Sequence, residues 1–227
     1  MRYAIYFLPA PDTALWRFGA SVLGYDAYRA ADVRHPEHPL FRSASLPQWV
    51  AEPQRYGFHA TLKAPFELAE RTSEAELREF ARALASEQRT FTVPSLRIAA
   101  LSRFVALLPA VPSPGLNDLA SACVRHFEPL RKPLSEADRQ RRLAAKLTPR
   151  QTEYLERWGY PYVLEEFRYH MTLTGPLAQH ELADAETALA ELWAPIAGPL
   201  RVDAITLVAQ PSREARFAVL ERYPFAG

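Results

Sequence analysis

Two short stretches of this chain repeat one set of reactive side chains. The first runs Arg55-Tyr56-Gly57-Phe58-His59-Ala60-Thr61-Leu62-Lys63-Ala64-Pro65, and the second Arg168-Tyr169-His170-Met171-Thr172-Leu173-Thr174-Gly175-Pro176. Aligned on histidine, both read His-x-Thr-Leu-x-x-Pro, each directly after an aromatic residue. On an extended strand, side chains alternate faces with a period of two. Tyr56, Phe58, Ala60 and Leu62 are therefore expected on one face, with His59, Thr61 and Lys63 on the other. In the second copy Phe167, Tyr169, Met171 and Leu173 oppose His170, Thr172 and Thr174. Two such polar faces brought together make a cleft with two imidazoles and two hydroxyls.

That set suits phosphoryl chemistry. An unperturbed histidine titrates near ~6.5, so one of two neighbours can be neutral while the other is protonated. One takes a proton from the attacking oxygen and the other gives one to the leaving oxygen, each worth typically ~10²–10⁴-fold in rate. Threonine hydroxyls can hold the non-bridging oxygens as charge develops. In-line displacement at a phosphodiester places acid and base on opposite sides of phosphorus, and no metal or other cofactor is expected. His59 and His170 are the expected catalysts, with Thr61 and Thr172 on the phosphate. Lys63 and Thr174, further along the same faces, are candidate substrate contacts. Tyr56, Arg55 and Arg168, which flank the motifs, are second-tier candidates.

Elements must hold these residues in place. Residues 2–8 read as a strand, and 12–23 as a helix with Asp12 as its N-cap. The proline-rich segment 31–54 reads as a covering loop. The first motif is a strand, followed by a helix over 73–88 with Ser73 and Glu76 as a capping box. Residues 91–110 make two strands joined by a tight turn near Ser102-Arg103. Helices fill 116–128, 135–146 and 149–158. The second motif strand leads to a helix from Gln179, and a closing hairpin ends the chain. Thus 55–110 and 167–225 repeat one order of motif strand, helix, strand, turn, strand, with a helical connection over 116–165. The expected architecture is α+β: a single bilobal, pseudo-symmetric domain spanning 1–227, with two mostly antiparallel sheets flanking a central groove and helices outside.

Composition narrows the classes. Basic and acidic residues number 27 and 26, a net charge of +1, so no global field draws nucleic acid or an anionic membrane. Cys123 is the only cysteine, which excludes an intrachain disulfide and fits a reducing compartment. Pro9, Pro11 and Asp12 interrupt the apolar N-terminus, and no apolar run approaches the ~20 residues of a membrane span. A cytoplasmic protein is expected. Gly19 and Gly24 stand at phosphate-loop spacing, but Tyr25 and Asp26 occupy the positions of Lys and Ser/Thr. His35 and His38 lie in a proline-rich loop with no third ligand in view, and His126 and His180 have no companion. Arg139, Arg142, Lys146 and Arg150 fall at helical spacings and read as a solvated face or a basic wall beside the groove. Trp158, Tyr160 and Tyr162 read as a seal between lobes or a stacking surface for a base or sugar.

The paired His-x-Thr signatures resemble the 2H phosphoesterase superfamily, which includes RNA 2′,3′-cyclic phosphodiesterases and 2′-5′ RNA ligase-like proteins. Arg2–Pro9, Arg55–Phe66 and Arg157–Leu177 further resemble a branch associated with bacterial phosphonate-utilisation genes. The resemblance implies a bilobal fold with His59, Thr61, His170 and Thr172 in the groove. It also implies hydrolysis of a small cyclic phosphodiester, ribose- or nucleotide-derived, by two-histidine acid–base catalysis. The alternatives are RNA-end processing at a 2′,3′-cyclic terminus or 2′-5′ bond, and a non-catalytic module that binds phosphate esters. A small phosphorylated partner is expected ahead of nucleic acid.

Overall fold

The computed structural model describes residues 1–42 and 45–227. The chain begins with β1 (Arg2–Phe7) and α1 (Ala14–Leu23). The N-cap of α1 is Thr13 rather than Asp12: the Thr13 hydroxyl accepts the Trp16 N–H, while the Asp12 carbonyl accepts from Arg17. Short strands β2 (Tyr25–Asp26) and β3 (Ala31–Asp32) follow, then a 3₁₀ turn at Pro39–Arg42. The expected loop ends in a helix, α2 (Leu46–Tyr56). Pro47 sits in its first turn, where a missing N–H costs nothing, and Pro53 lies within the last turn.

The first motif enters β4 (Ala60–Phe66), and α3 (Glu74–Glu87) follows with the reciprocal Ser73–Glu76 capping box intact. Next come β5 (Phe91–Val93), β6 (Leu96–Leu101) and β7 (Phe104–Pro109), the last two joined through Ser102 at φ 59°. Three helices connect the halves: α4 (Pro114–His126), α5 (Glu136–Leu143) and α6 (Pro149–Trp158). The second motif supplies β8 (Met171–Thr172), followed by α7 (Gln179–Trp193), β9 (Leu200–Val202), β10 (Ala204–Gln210) and β11 (Ala218–Pro224).

The sheets are antiparallel, and they interleave the two repeats. Of the two larger sheets, one has the order β11-β10-β1-β4 and the other β6-β7-β8, beside the two-stranded pairs β2-β3 and β5-β9. Each motif strand therefore shares a sheet with the hairpin that ends the other repeat. The crossing point is the pairing of β5 with β9, where each chain passes from its helix toward the opposite sheet. Helix α3 packs on β10 and β11, α7 on β6 and β7, and α4 on β4. The strand periodicity did not show this exchange, because it records faces and not partners.

The apolar faces of the motifs are buried as expected. Phe58, Ala60, Leu62, Met171 and Leu173 join one continuous core with Phe7, Leu107 and Leu207. Removing that much apolar surface from water is what holds the two motif strands in register.

Candidate active site

Each motif histidine sits one residue ahead of its strand's ladder. Gly57, at φ 71°, turns the chain from α2 into β4 and aims its carbonyl back at the ring. His59 Nδ1 donates to that carbonyl at 2.8 Å. His170 Nδ1 donates in the same way to the Arg168 carbonyl at 2.7 Å. A carbonyl can only accept, so both rings carry their proton on Nδ1 and keep a lone pair on Nε2. The Thr61 hydroxyl lies 3.0 Å from His59 Nε2 and donates to it.

His59, Thr61, His170 and Thr172 line one cavity of about 650 Å³. Tyr6 lies under His59 with ring centroids 3.7 Å apart and planes 21° apart, and Phe104 tilts against His170 at 5.8 Å. Burial lowers the His59 pKa to about 4, helped by repulsion from His170 and opposed by the Gly57 hydrogen bond. Burial also lowers His170, against the Arg168 bond. The site thus presents two neutral imidazoles and two hydroxyls, with the Nε2 of His59 accepting from Thr61.

Several expected contacts change. Lys63 leaves the His59 face because β4 carries a bulge. Thr61 pairs with Tyr6 and Lys63 with Ile5, so Leu62 is an extra residue and the alternation resets. The Lys63 ammonium is buried against α4, where it donates to the Val124 carbonyl at 3.1 Å and to Glu128 at 2.5 Å. Thr174 lines the cavity but is largely buried: its hydroxyl accepts the Val105 N–H and donates to the Gly175 carbonyl. It fixes the strand end to β7. Arg168 contributes its carbonyl, while its side chain is exposed and lies outside the lining of the cavity. Tyr56 belongs to the last turn of α2 and not to the strand, yet it lines the cavity, stacked on Phe217 at 5.7 Å; Arg55 lines it too.

Other groove residues were not singled out from sequence. Arg2 and Tyr6 share one face of β1 by simple alternation, and both line the cavity beside Arg141, Arg142 and Arg213. Of the basic stretch, Arg142 reaches the groove, whereas Arg139 pairs with Glu156 at 2.7 Å and Lys146 and Arg150 are exposed. Tyr160 lines the groove, while Tyr162 is 44% exposed. His35 and His126 each donate to a backbone carbonyl, those of Ser21 and Phe80. Among the described residues, no three His, Cys, Asp or Glu side chains are grouped to hold a metal ion. Nor is any helix of the described residues long and apolar enough to cross a membrane.

Comparison with known proteins adds three observations. The chain is 38% identical, over all of its length and 51% of the relative's, to "Ribose 1,5-bisphosphate phosphokinase PhnN" of Janthinobacterium sp. (strain Marseille). It is 37% identical, over 96% of its length and 50% of the relative's, to the protein of the same name in Laribacter hongkongensis (strain HLHK9). The chain thus spans about half the length of the curated relatives it matches. Among solved structures, TT0787 of Thermus thermophilus is similar at TM-score 0.48 and 17% identity, covering 100% of this chain and 99% of that one. The E. coli LigT complex with ATP is similar at TM-score 0.44 and 18% identity, covering 100% and 98%. Residues 61–218 match the family model described as "Protein of unknown function (DUF1045)", and the chain belongs to that family.

Proposed function

We propose that this chain is a phosphodiesterase that opens a small cyclic phosphodiester by paired histidine acid–base catalysis. The carrying observation is that both histidines spend Nδ1 on a backbone carbonyl two residues upstream and line one cavity with Nε2 unprotonated, that of His59 accepting from the Thr61 hydroxyl. A single structural histidine satisfies the same bond; two copies facing one groove supply an acid and a base.

The roles follow from the electrostatics. His59 is held neutral down to about pH 4, which suits a general base. His170 is lowered by burial alone, without the added repulsion, so it is the first of the pair to take a proton. A phosphodiester anion in the groove favours that imidazolium. Water then attacks phosphorus and gives its proton to His59 Nε2. The ring P–O bond breaks, and its oxygen takes the proton from His170 Nε2. A phosphomonoester and a free hydroxyl result, with Thr61 and Thr172 holding the non-bridging oxygens.

Ribose is the favoured ring. The curated relatives are named for action on ribose 1,5-bisphosphate, a sugar with two phosphomonoesters, and opening a cyclic phosphate of a ribose phosphate yields a compound of that class. The second reading, an RNA end, draws on the arginines beside the groove and predicts binding that weakens steeply with salt.

The test is hydrolysis of bis(4-nitrophenyl) phosphate with EDTA present. Wild type is expected to turn it over and His59→Ala to lose ~10²–10⁴-fold. His170→Ala should lose far less, because nitrophenolate leaves without a proton. Equal rates in wild type and both variants would refute the proposal.

A further inference from the structure

A second cavity of about 570 Å³ adjoins the groove. Seven residues line both, and four of them are arginines: Arg2, Arg141, Arg142 and Arg213. The others are Ala64, Pro65 and Tyr160, so the shared wall carries no carboxylate. The wall is built from both ends of the chain and from the helical connection: Arg2 on β1, Arg141 and Arg142 on α5, and Arg213 in the turn between β10 and β11.

The four are not equivalent. Asp138 accepts from Arg141 at 2.6 Å and from Arg213 at 2.5 Å, which fixes those two guanidinium groups with one carboxylate. Arg2 and Arg142 form no ion pair among the described residues. Each has its Nε buried without a hydrogen-bond partner. Aromatic faces hold their planes: Arg142 over Tyr160 at 5.0 Å and Arg2 over Phe217 at 5.7 Å. A buried N–H donor without an acceptor is destabilising, and a charged guanidinium more so. Burial lowers the Arg142 pKa, opposed by Tyr160 and Asp138 and helped by the Arg141 and Arg2 charges. Two oriented guanidinium forks without an ion-pair partner among the described residues fit the oxygens of a phosphate dianion.

Building on the phosphodiesterase reading above, we propose that this arginine wall binds a second, terminal phosphate of the substrate, held by Arg2 and Arg142 while His59 and His170 act on the cyclic phosphodiester. The substrate class is a small sugar phosphate with a cyclic phosphodiester at one end and a phosphomonoester at the other. Ring opening leaves both phosphates on the product: one P–O bond is formed to water oxygen, one ring P–O bond is broken, and the terminal ester is untouched. The wall then acts as a ruler, admitting esters whose second phosphate reaches it when the first lies between the histidines.

Two measurements on the full chain test this separately from catalysis. Inorganic phosphate is titrated by calorimetry into the His59→Ala/His170→Ala variant, alone and combined with Arg2→Met or Arg142→Met. Binding that survives the histidine substitutions and weakens about tenfold or more with either arginine substitution supports the site. Arg142→Lys, which keeps the charge but loses the fork, should fall between the two, and far-UV circular dichroism confirms folding. Phosphate binding that is indifferent to Arg2 and Arg142 would overturn the assignment.

The second measurement compares ribose 1,2-cyclic phosphate with and without a phosphate on O5. Wild type should prefer the phosphorylated ester by about tenfold to a hundredfold in kcat/KM, mostly through KM, and Arg2→Met/Arg142→Met should collapse the ratio toward one. Turnover of both esters at equal kcat/KM would remove the second-phosphate site and leave the phosphodiesterase intact. Arginine-dependent phosphate binding without turnover of either ester would keep the anion site and remove the catalytic reading. Preference for a cyclic-ended oligonucleotide, with steep salt dependence, would overturn a small-molecule site.

Discussion

The Gly175 backbone N–H donates to the Trp49 carbonyl across 2.5 Å. Trp49 lies on α2, four residues before Pro53, and in an unbroken helix its carbonyl would accept the N–H of residue 53. Proline has none, so the carbonyl is left over and takes the strand end that follows His170 and Thr172. The approach favours glycine: a Cβ on Gly175 would stand 3.1 Å from the Trp49 oxygen and push the two backbones apart by a few tenths of an ångström. Since α2 also leads through Gly57 into the first motif, one helix ties both histidines to a common frame. The Trp49 indole reinforces this by donating to Glu181 at 3.2 Å.

Two substitutions probe that tie. Gly175→Ala should push β8 from α2, lower the melting temperature by several degrees and reduce kcat several-fold. Pro53→Ala restores a competing helical N–H, so the Gly175 amide should exchange with deuterium faster while overall stability holds or rises. Unchanged exchange at Gly175 would show that the proline does not free the carbonyl.

Tyr6 acts on His59 through packing. Its hydroxyl is buried without a partner, so Tyr6→Phe should keep activity and cost no stability. Tyr6→Ala opens a cavity costing about 3–5 kcal/mol and admits water to the ring. Its acidic limb should move up toward ~6.5 as His59 is resolvated. A pH profile identical to wild type in Tyr6→Ala would assign the stack a purely structural role.

The pH dependence has a defined sign. Both histidines are lowered in the folded protein, so the kcat/KM bell of the free enzyme should lie on the acid side of ~6.5. Activity needs neutral His59 and falls as pH drops through about 4. The kcat bell should sit higher, because a bound anion favours the imidazolium. Stability follows the same group. Between ~6.5 and about 4 the unfolded chain binds a proton at His59 that the folded chain refuses, so stability is full above ~6.5 and declines as pH falls, by on the order of 3 kcal/mol. His59→Gln should flatten that slope in urea titrations across the window.

Lys63 should matter for folding and not for chemistry. Its ammonium and the Glu128 carboxylate form a pair in which the lysine side chain is 3% exposed. Lys63→Met leaves Glu128 with Arg131 alone and should cost about 3 kcal/mol in denaturant unfolding. The kcat of the folded fraction should stay within about twofold of wild type. A large loss of kcat at full folding would return Lys63 to the reaction.

The gathering of the four motif residues in one cavity was legible because each motif is local. His59 and Thr61, like His170 and Thr172, share a face by strand alternation, and their repetition marked them together. What failed was non-local or a break in period. The extra Leu62 in β4 is visible only against its partner β1, so Lys63 was placed on the wrong face. Helix α2 was hidden by its own prolines, which read as loop although one opens the helix and the other shapes its end. The exchange of hairpins depends on which strand pairs with which, and alternation is silent on that. The arginine wall gathers residues 2, 141, 142 and 213, which only the fold brings together.

The most direct test of the two-histidine account is phosphorus NMR of wild type, His59→Ala and His170→Ala, each with EDTA and a panel of cyclic phosphodiesters. The panel holds ribose cyclic phosphates, 2′,3′-cyclic nucleotides and a cyclic-ended RNA. The account predicts that wild type converts at least one cyclic resonance to a phosphomonoester, and that each alanine variant slows this by ~10²–10⁴-fold. Ring opening that continues unchanged in either variant would contradict it.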